Sequence, residues 1–240
     1  MIVPPARGGA RRETEVMTSR PSMMAPRRGR VRGPWPATAL ALIALGGVVG
    51  FAAEWRPLFD GESLGDWKST PFGGEGDVAV VDGALRINAG GSLSGVTFAA
   101  EFPRQRYEIA LEARRVEGDD FFCGLTFPVG DDSCTLILGG WGGGVVGLSS
   151  IDGSDASENP TSQYHEFERG RWYDVVVRVT PERIECLLDG ERIIDQPLEG
   201  RRISIRHEVE PSKPLGIATF ATTGEAREAV RARLGGDPPA

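Results

Sequence analysis

The sequence predicts an all-β fold, an antiparallel sandwich of two sheets, and three observations carry that expectation. From Trp55 onward apolar and polar residues alternate with period two, as in strands that bury one face. Gly, Asp and Pro break the alternation every ten residues or so, at the spacing of turns in a multi-stranded sandwich. Asp189-Gly190 sits between two such runs, and an Asp-Gly pair supplies the positive φ that a type I′ hairpin turn needs at both centres.

Residues 1–52 stand apart from this pattern. Arg27, Arg28, Arg30 and Arg32 make a basic segment, residues 37–51 are an uncharged apolar run, and Gly50-Phe51-Ala52 places small residues at both recognition positions of a cleavage site. The expectation is an export signal and a periplasmic or extracellular mature protein. The apolar run falls short of the ~20 residues a spanning helix needs, which favours a cleaved signal over an anchor and leaves no membrane partner after cleavage. No cysteine lies near the cut to take a lipid, and Met17, Met23 and Met24 are alternative starts. Removal of residues 1–52 takes away eight arginines and two glutamates, so a formal net charge of −7 becomes −13. Such a surface repels nucleic acid and anionic lipid, while a neutral ligand such as a sugar is compatible with it. What remains, residues 53–234, is long enough for one sandwich domain with its own core, and 235–240 reads as a disordered tail.

Tyr107, Ile109, Leu111 and Ala113 face one way and Glu108, Glu112 and Arg114 the other, which makes 107–113 a half-buried strand. Residues 120–128 and 133–139 are near-continuous apolar runs around a turn at Gly130-Asp131, hence strands covered on both faces. That turn sets Cys123 opposite Leu138 and Cys134 opposite Phe127, so the two thiols do not face each other. With Cys186 the cysteines are odd in number, and burial as small apolar residues is expected. Neither Cys-x-x-Cys nor Cys-His spacing is present to hold a metal. Val175, Val177 and Val179 repeat the alternation against Asp174 and Arg178, Thr180-Pro181-Glu182 turns the chain, and 184–188 pairs with 192–195 through Asp189-Gly190. Arg202, Ser204, Arg206 and Glu208 share one face of a further expected strand, read as a solvated edge face. Leu215, Ile217 and Thr219, then Val230, Ala232 and Leu234, form closing strands, although 223–233 is rich enough in Ala, Glu and Arg to be a short helix instead.

Leu58-Phe59-Asp60-Gly61, with Leu64 and Trp67 behind it, is followed by Val78-Ala79-Val80-Val81-Asp82-Gly83-Ala84-Leu85, then Tyr107-Glu108-Ile109, Arg171-Trp172-Tyr173 and Leu188-Asp189-Gly190-Glu191. In this order over residues 55–234, these segments resemble the 3-keto-disaccharide hydrolase family. The resemblance implies a concanavalin A-like jelly-roll sandwich and breakdown of oxidised disaccharides, although a fold alone does not carry the chemistry. The family's 120–139 hairpin typically reads Asn-Ser-Gly, an apolar stretch and Arg, then Tyr-Glu-x-Gln. Here Gly124 is kept, Pro128 replaces the Arg, and Thr135 and Ile137 take the Glu and Gln positions, so the usual polar floor is altered.

Gly139-Gly140-Trp141-Gly142-Gly143-Gly144 lies between two expected strands, which is not the strand-to-helix setting of a phosphate-binding loop. Glycines let a ligand approach the backbone and leave the Trp141 indole free to stack on a pyranose face; the alternative is an indole packed back onto the sandwich. In the loop 152–159, Asp152, Asp155 and Asn159 suit contact with a sugar or a hard divalent cation such as calcium, or else bond their own backbone. Pro160 bars Asn159 from acting as a glycosylation acceptor. His165 alternates with Gln163 and Phe167 on an inward or cleft-facing side, either as a structural histidine or as a general base. If the family's reaction is retained, a base removes the proton beside a 3-keto group, the glycosidic oxygen leaves the neighbouring carbon, and water adds afterwards. A metal ion or fixed hydrogen-bond donors would stabilise the enolate. Asp119, Asp120, Asp155, Glu158 and His165 are the candidate bases. The expectation is an exported carbohydrate-active domain acting on 3-keto-glycosides or related saccharides as a hydrolase or lyase. The alternatives are a lectin-like module that holds a glycan with Trp141 and the 152–159 loop, and a secreted module that binds another protein.

Overall fold

A computed structural model describes residues 55–234; the expected export signal and the tail at 235–240 lie outside the described residues. Among the described residues the chain forms β1 (Trp55–Pro57), β2 (Trp67–Ser69), β3 (Val78–Val81), β4 (Ala84–Ile87), β5 (Leu93–Phe98), β6 (Tyr107–Glu117), β7 (Cys123–Val129) and β8 (Asp132–Gly139). It continues with β9 (Val145–Ser149), β10 (Gln163–Tyr164), β11 (Tyr173–Val179), β12 (Arg183–Leu188), β13 (Glu191–Pro197), β14 (Gly216–Phe220) and β15 (Thr223–Leu234), with a 3-10 turn at His207–Ser212 between β13 and β14. Strand order in the eight-stranded sheet is β13-β12-β11-β6-β15-β4-β3, with β1 also on β15; the seven-stranded sheet runs β10-β9-β8-β7-β14-β5-β2. The all-β two-sheet sandwich is therefore the fold.

The core lies between the sheets and is filled by the period-two residues. Val175, Val177 and Val179 on β11 pair with Leu111, Ile109 and Tyr107 on β6, and all six are buried. Cys123 pairs with Leu138 and Cys134 with Phe127, the register that the Gly130-Asp131 turn dictates, and all three thiols are buried and unpaired with one another. Burial pushes the Cys123 and Cys134 thiols up to about 12.

The opening motif is structural. Leu58, Phe59 and Trp67 are buried, and the Trp67 indole N–H donates to the Leu58 carbonyl at 2.8 Å. Asp60 accepts from the backbone N–H groups of Glu62 and Ser63, both at 2.8 Å, and this pulls its carboxyl below the usual value, the Ser63 bond contributing most. Positive φ at Asp189 (50°) and Gly190 (81°) closes the β12–β13 hairpin as the sequence dictates.

Of the two readings of 223–233, the closing strand holds and the short helix does not: β15 inserts between β6 and β4, where unpaired backbone would be costly, and pairing overrides the helix propensity of Ala, Glu and Arg. One expectation needs correction. Residues 202–208 form no full strand. Ile203 makes an isolated bridge with Ile151, Ser204 and Ser150 exchange backbone bonds at 2.6 and 3.1 Å, and the chain enters the 3-10 turn at His207.

Candidate functional site

Cys134, Leu136, Leu138 and Leu148 point into the core, so alternation turns Thr135, Ile137 and Ser149 to the opposite face of the seven-stranded sheet. There they form the floor of a cavity of about 550 Å³. Phe72, Phe121, Trp141 and Phe220 wall it, and Asp120, Arg206 and Glu208 bring charge to its lining. The floor is built low. Gly124 lies under Phe121, whose ring would stand 3.0 Å from an added Cβ, and Gly95 lies under Phe72 in the same way at 3.1 Å. Residues 120–139 are covered on both faces as their apolar runs predict, by the other sheet below and by these aromatic rings above.

Trp141 stands on a tight left-handed turn between β8 and β9. Gly139, Gly142 and Gly143 have φ of 78°, 84° and 111°, conformations that glycine adopts without strain, and Trp141 itself is held at φ 48°. Two anchors fix the turn. Arg115, at the inward-facing end of β6, donates through Nη2 to the carbonyls of Gly139 at 3.3 Å and Gly143 at 2.8 Å. Asp120 accepts from the Gly142 N–H at 3.2 Å through one oxygen and from the Phe121 N–H at 2.7 Å through the other. Trp141 is 46% exposed, so its side chain is displayed and not packed back into the sandwich.

Away from Trp141, the Ser150–Ser204 pairing brings Arg206 beside β9. Its Nη1 donates to Asp155, and Nε and Nη2 donate to Glu208 at 3.2 and 2.7 Å. The hydrogen bond from Arg206 holds the Glu208 carboxyl below its usual value, and the same bond raises the guanidinium. Asp155 also accepts from the Ser149 and Ser150 hydroxyls, each at 3.4 Å.

Of the residues singled out in the sequence, Asp120 and Trp141 line the cavity, and Asp155 reaches it through Arg206 and Ser149. The others lie elsewhere. Asp119 is an exposed partner of Arg169 at 3.2 Å, and Glu158 is exposed in its loop. Asp152 accepts from the backbone of Arg202 and from Arg201, both at 2.8 Å, and the first of these bonds chiefly lowers its carboxyl. Asn159 is buried and gives its amide to the carbonyls of Leu148, Ser154 and Asp155 while accepting from Thr161. His165 stacks with Phe167 at 4.6 Å and Tyr173 at 5.9 Å, one step beyond the two-residue β10. The donor set of the 152–159 loop does not fit a divalent cation: Asp152 and Asp155 each oppose an arginine, and no group of three or more His, Cys, Asp or Glu converges among the described residues. Sequence reasoning missed Phe72, Phe121, Phe220, Arg206 and Glu208. The face shared by Arg206 and Glu208 was visible as a pattern, and both residues are solvent-exposed as that pattern implies, but they also enter the cavity lining because this segment is bound along β9 beside the sheet floor.

A family profile described as the 3-keto-alpha-glucoside-1,2-lyase-like domain matches residues 54–223. No curated protein matches the chain. Among solved structures, carbohydrate binding module CBM66 from Bacillus subtilis has a TM-score of 0.47 and 12% identity, covering 68% of this chain and 93% of its own. A proposed glycosyl hydrolase from Parabacteroides distasonis has a TM-score of 0.49 and 13% identity, with 76% and 94% covered. SCLam, a non-specific endo-beta-1,3(4)-glucanase of family GH16, has 0.48 and 10%, with 75% and 88% covered.

Proposed function

The chain belongs to the 3-keto-alpha-glucoside-1,2-lyase-like family, and from that premise we propose that it is an exported carbohydrate-active domain that takes 3-keto-glycosides or related saccharides into the cavity on the outer face of the seven-stranded sheet. The observation that carries this reading is the pairing of displayed aromatic walls with fixed charge in one cavity of about 550 Å³, within the roughly 300–1,000 Å³ of small-ligand sites. Trp141 stacks on a sugar face, and the polar floor of Thr135 and Ser149 meets hydroxyl groups.

For the chemical step, Asp120 is the candidate base, since it alone among the residues first considered for that role lines the cavity. It takes the proton from the carbon beside the ketone. The C–O bond to the leaving group breaks as the carbon–carbon double bond forms, the departing oxygen takes up a proton, and water then adds across the double bond. The Arg206 guanidinium, fixed by its bonds to Asp155 and Glu208, offers its remaining N–H groups as donors to the enolate oxygen. A lectin-like reading without turnover has its own support: Thr135 and Ile137 occupy floor positions where the family resemblance leads one to expect Glu and Gln.

One mutant and two assays separate these readings. Trp141→Ala is expected to weaken saccharide binding by roughly 1–2 kcal/mol, about five- to thirtyfold, with a nearly unchanged melting temperature. The enzyme reading requires turnover of a 3-keto-glucoside that Asp120→Asn abolishes; binding without turnover leaves the lectin-like module. Failure of the wild type to bind any saccharide, together with a sharp fall in the melting temperature of Trp141→Ala, would remove both. Export is tested separately by N-terminal sequencing of the secreted protein, which is expected to begin near Ala53, whereas recovery of an intact 27–51 segment would favour an anchor.

A further inference from the structure

Trp141, Tyr164 and Phe220 are the exposed large hydrophobic residues among those described. All three stand at the same end and on the same face of the seven-stranded sheet. Tyr164 on β10 pairs with Val145 on β9, and Val145 bridges to Gly140 beside Trp141. Further across, Phe220 donates its backbone N–H to the Phe121 carbonyl at 3.1 Å, and Ala221 donates to Ser92 at 2.9 Å. These residues are therefore lateral neighbours along one line that crosses the strand ends.

The orientation of Tyr164 follows from its register. Gln163 lies opposite core-facing Val146 and reaches the Ile193 carbonyl of the other sheet at 2.7 Å, so Tyr164 projects to the outer face. Its ring lies on the backbone of Gly144, where an added Cβ would stand 2.1 Å from Cε2. Tyr164 as a whole is 75% exposed, far more than a tyrosine retained for packing. From β10 to β14 the line crosses four strand spacings of about 4.8 Å, roughly 19 Å, which exceeds the span of one pyranose ring.

Resting on the saccharide reading of the cavity, we propose that Tyr164 is an outer platform of an extended binding face, seated by Gly144, so that the ligand is a saccharide chain that continues from the Trp141 cavity over β9 and β10. Continuity with the cavity and the interspersed aromatic rings favour a chain of sugars, each ring with an apolar face to stack, over a lone disaccharide.

The test compares disaccharides with tetrasaccharides, using maltose and maltotetraose, laminaribiose and laminaritetraose, and cellobiose and cellotetraose in calorimetric titrations. The wild type is expected to bind the tetrasaccharide of at least one series more tightly than its disaccharide. Tyr164→Ala should remove that gain, about three- to tenfold, without changing disaccharide affinity or melting temperature. Gly144→Ala, whose φ of −127° an alanine tolerates, should also lower tetrasaccharide affinity by lifting the ring from its seat. Equal affinity for both lengths in every series, or tetrasaccharide affinity untouched by Tyr164→Ala, overturns the extension while Trp141-dependent disaccharide binding leaves the cavity reading standing. Absence of binding at any length in every series overturns the extension, while the cavity reading is then decided by the 3-keto-glucoside assay.

Discussion

Arg115 Nη2 donates to the Gly143 carbonyl oxygen at 2.8 Å, so a side chain from the eight-stranded sheet holds the turn on the seven-stranded sheet that displays Trp141. Arg115 follows Tyr107, Ile109, Leu111 and Ala113 on the inward side of β6, is only 7% exposed, and stacks its guanidinium 5.3 Å from the Phe122 ring. An added Cβ at Gly139 would sit 2.5 Å from Nη2, which is one reason that position carries glycine. Arg115→Met keeps the stem and removes the donors. It is expected to cost about 1–3 kcal/mol in urea melts and to weaken saccharide binding with it, because the freed carbonyls no longer fix the turn. Unchanged affinity in the folded variant would mean that Asp120 suffices to hold the loop.

Val177 is fully buried between Ile109 and Cys186 on the neighbouring strands. Val177→Ala should destabilise the domain by about 1–3 kcal/mol in denaturant melts, with an unchanged slope if the native and unfolded states are otherwise preserved.

Burial raises all three thiols, Cys123 and Cys134 to about 12 from an ordinary 9.0. They stay protonated in the native state at pH 8, so a disulfide reagent should label none of them until the chain unfolds. The sign of the linkage is fixed by the upward shift. The unfolded thiols ionise near pH 9 while the folded ones hold their protons, so stability is retained below that pH and is lost as it rises from 9 toward 12. Denaturant midpoints measured across this range should fall steadily.

Arg206 lowers Glu208 through its hydrogen bonds, so Arg206→Met should move the Glu208 carboxyl upward toward the ordinary glutamate value in a carbon-detected NMR titration. In the native protein the favourable pairing is present at neutral pH and fades as the pH falls through the depressed Glu208 value. If Arg206 also stabilises the enolate, the same variant loses turnover of a 3-keto-glucoside by a larger factor than it loses binding. Equal losses in the two would make Arg206 a binding residue only.

Local chemistry made much of the fold legible from the chain alone. Period two fixed which side of β6 and β11 is buried, Asp189-Gly190 fixed a hairpin because few residue pairs tolerate two positive φ angles, and the Gly130-Asp131 turn fixed the partners of Cys123 and Cys134. Trp141 was legible as a candidate because so many glycines around one indole leave it nothing local to pack on. The rest depended on strand order, which sequence order does not encode. Phe72, Phe121 and Phe220 come from three distant segments and meet only because β14 lies between β5 and β7. Arg206 and Glu208, a solvated face in the sequence pattern and exposed in the fold, reach the cavity only because the segment at 202–206 is bound along Ser150 and Ile151. Asn159, a polar loop residue in sequence, is buried because the carbonyl of Leu148 on β9 and those of Ser154 and Asp155 in its own turn converge on its amide, and that convergence exists only once the loop is closed against the strand. Alternation along a strand tells each side chain which face it takes, but what covers that face is decided by contacts between segments far apart in the chain.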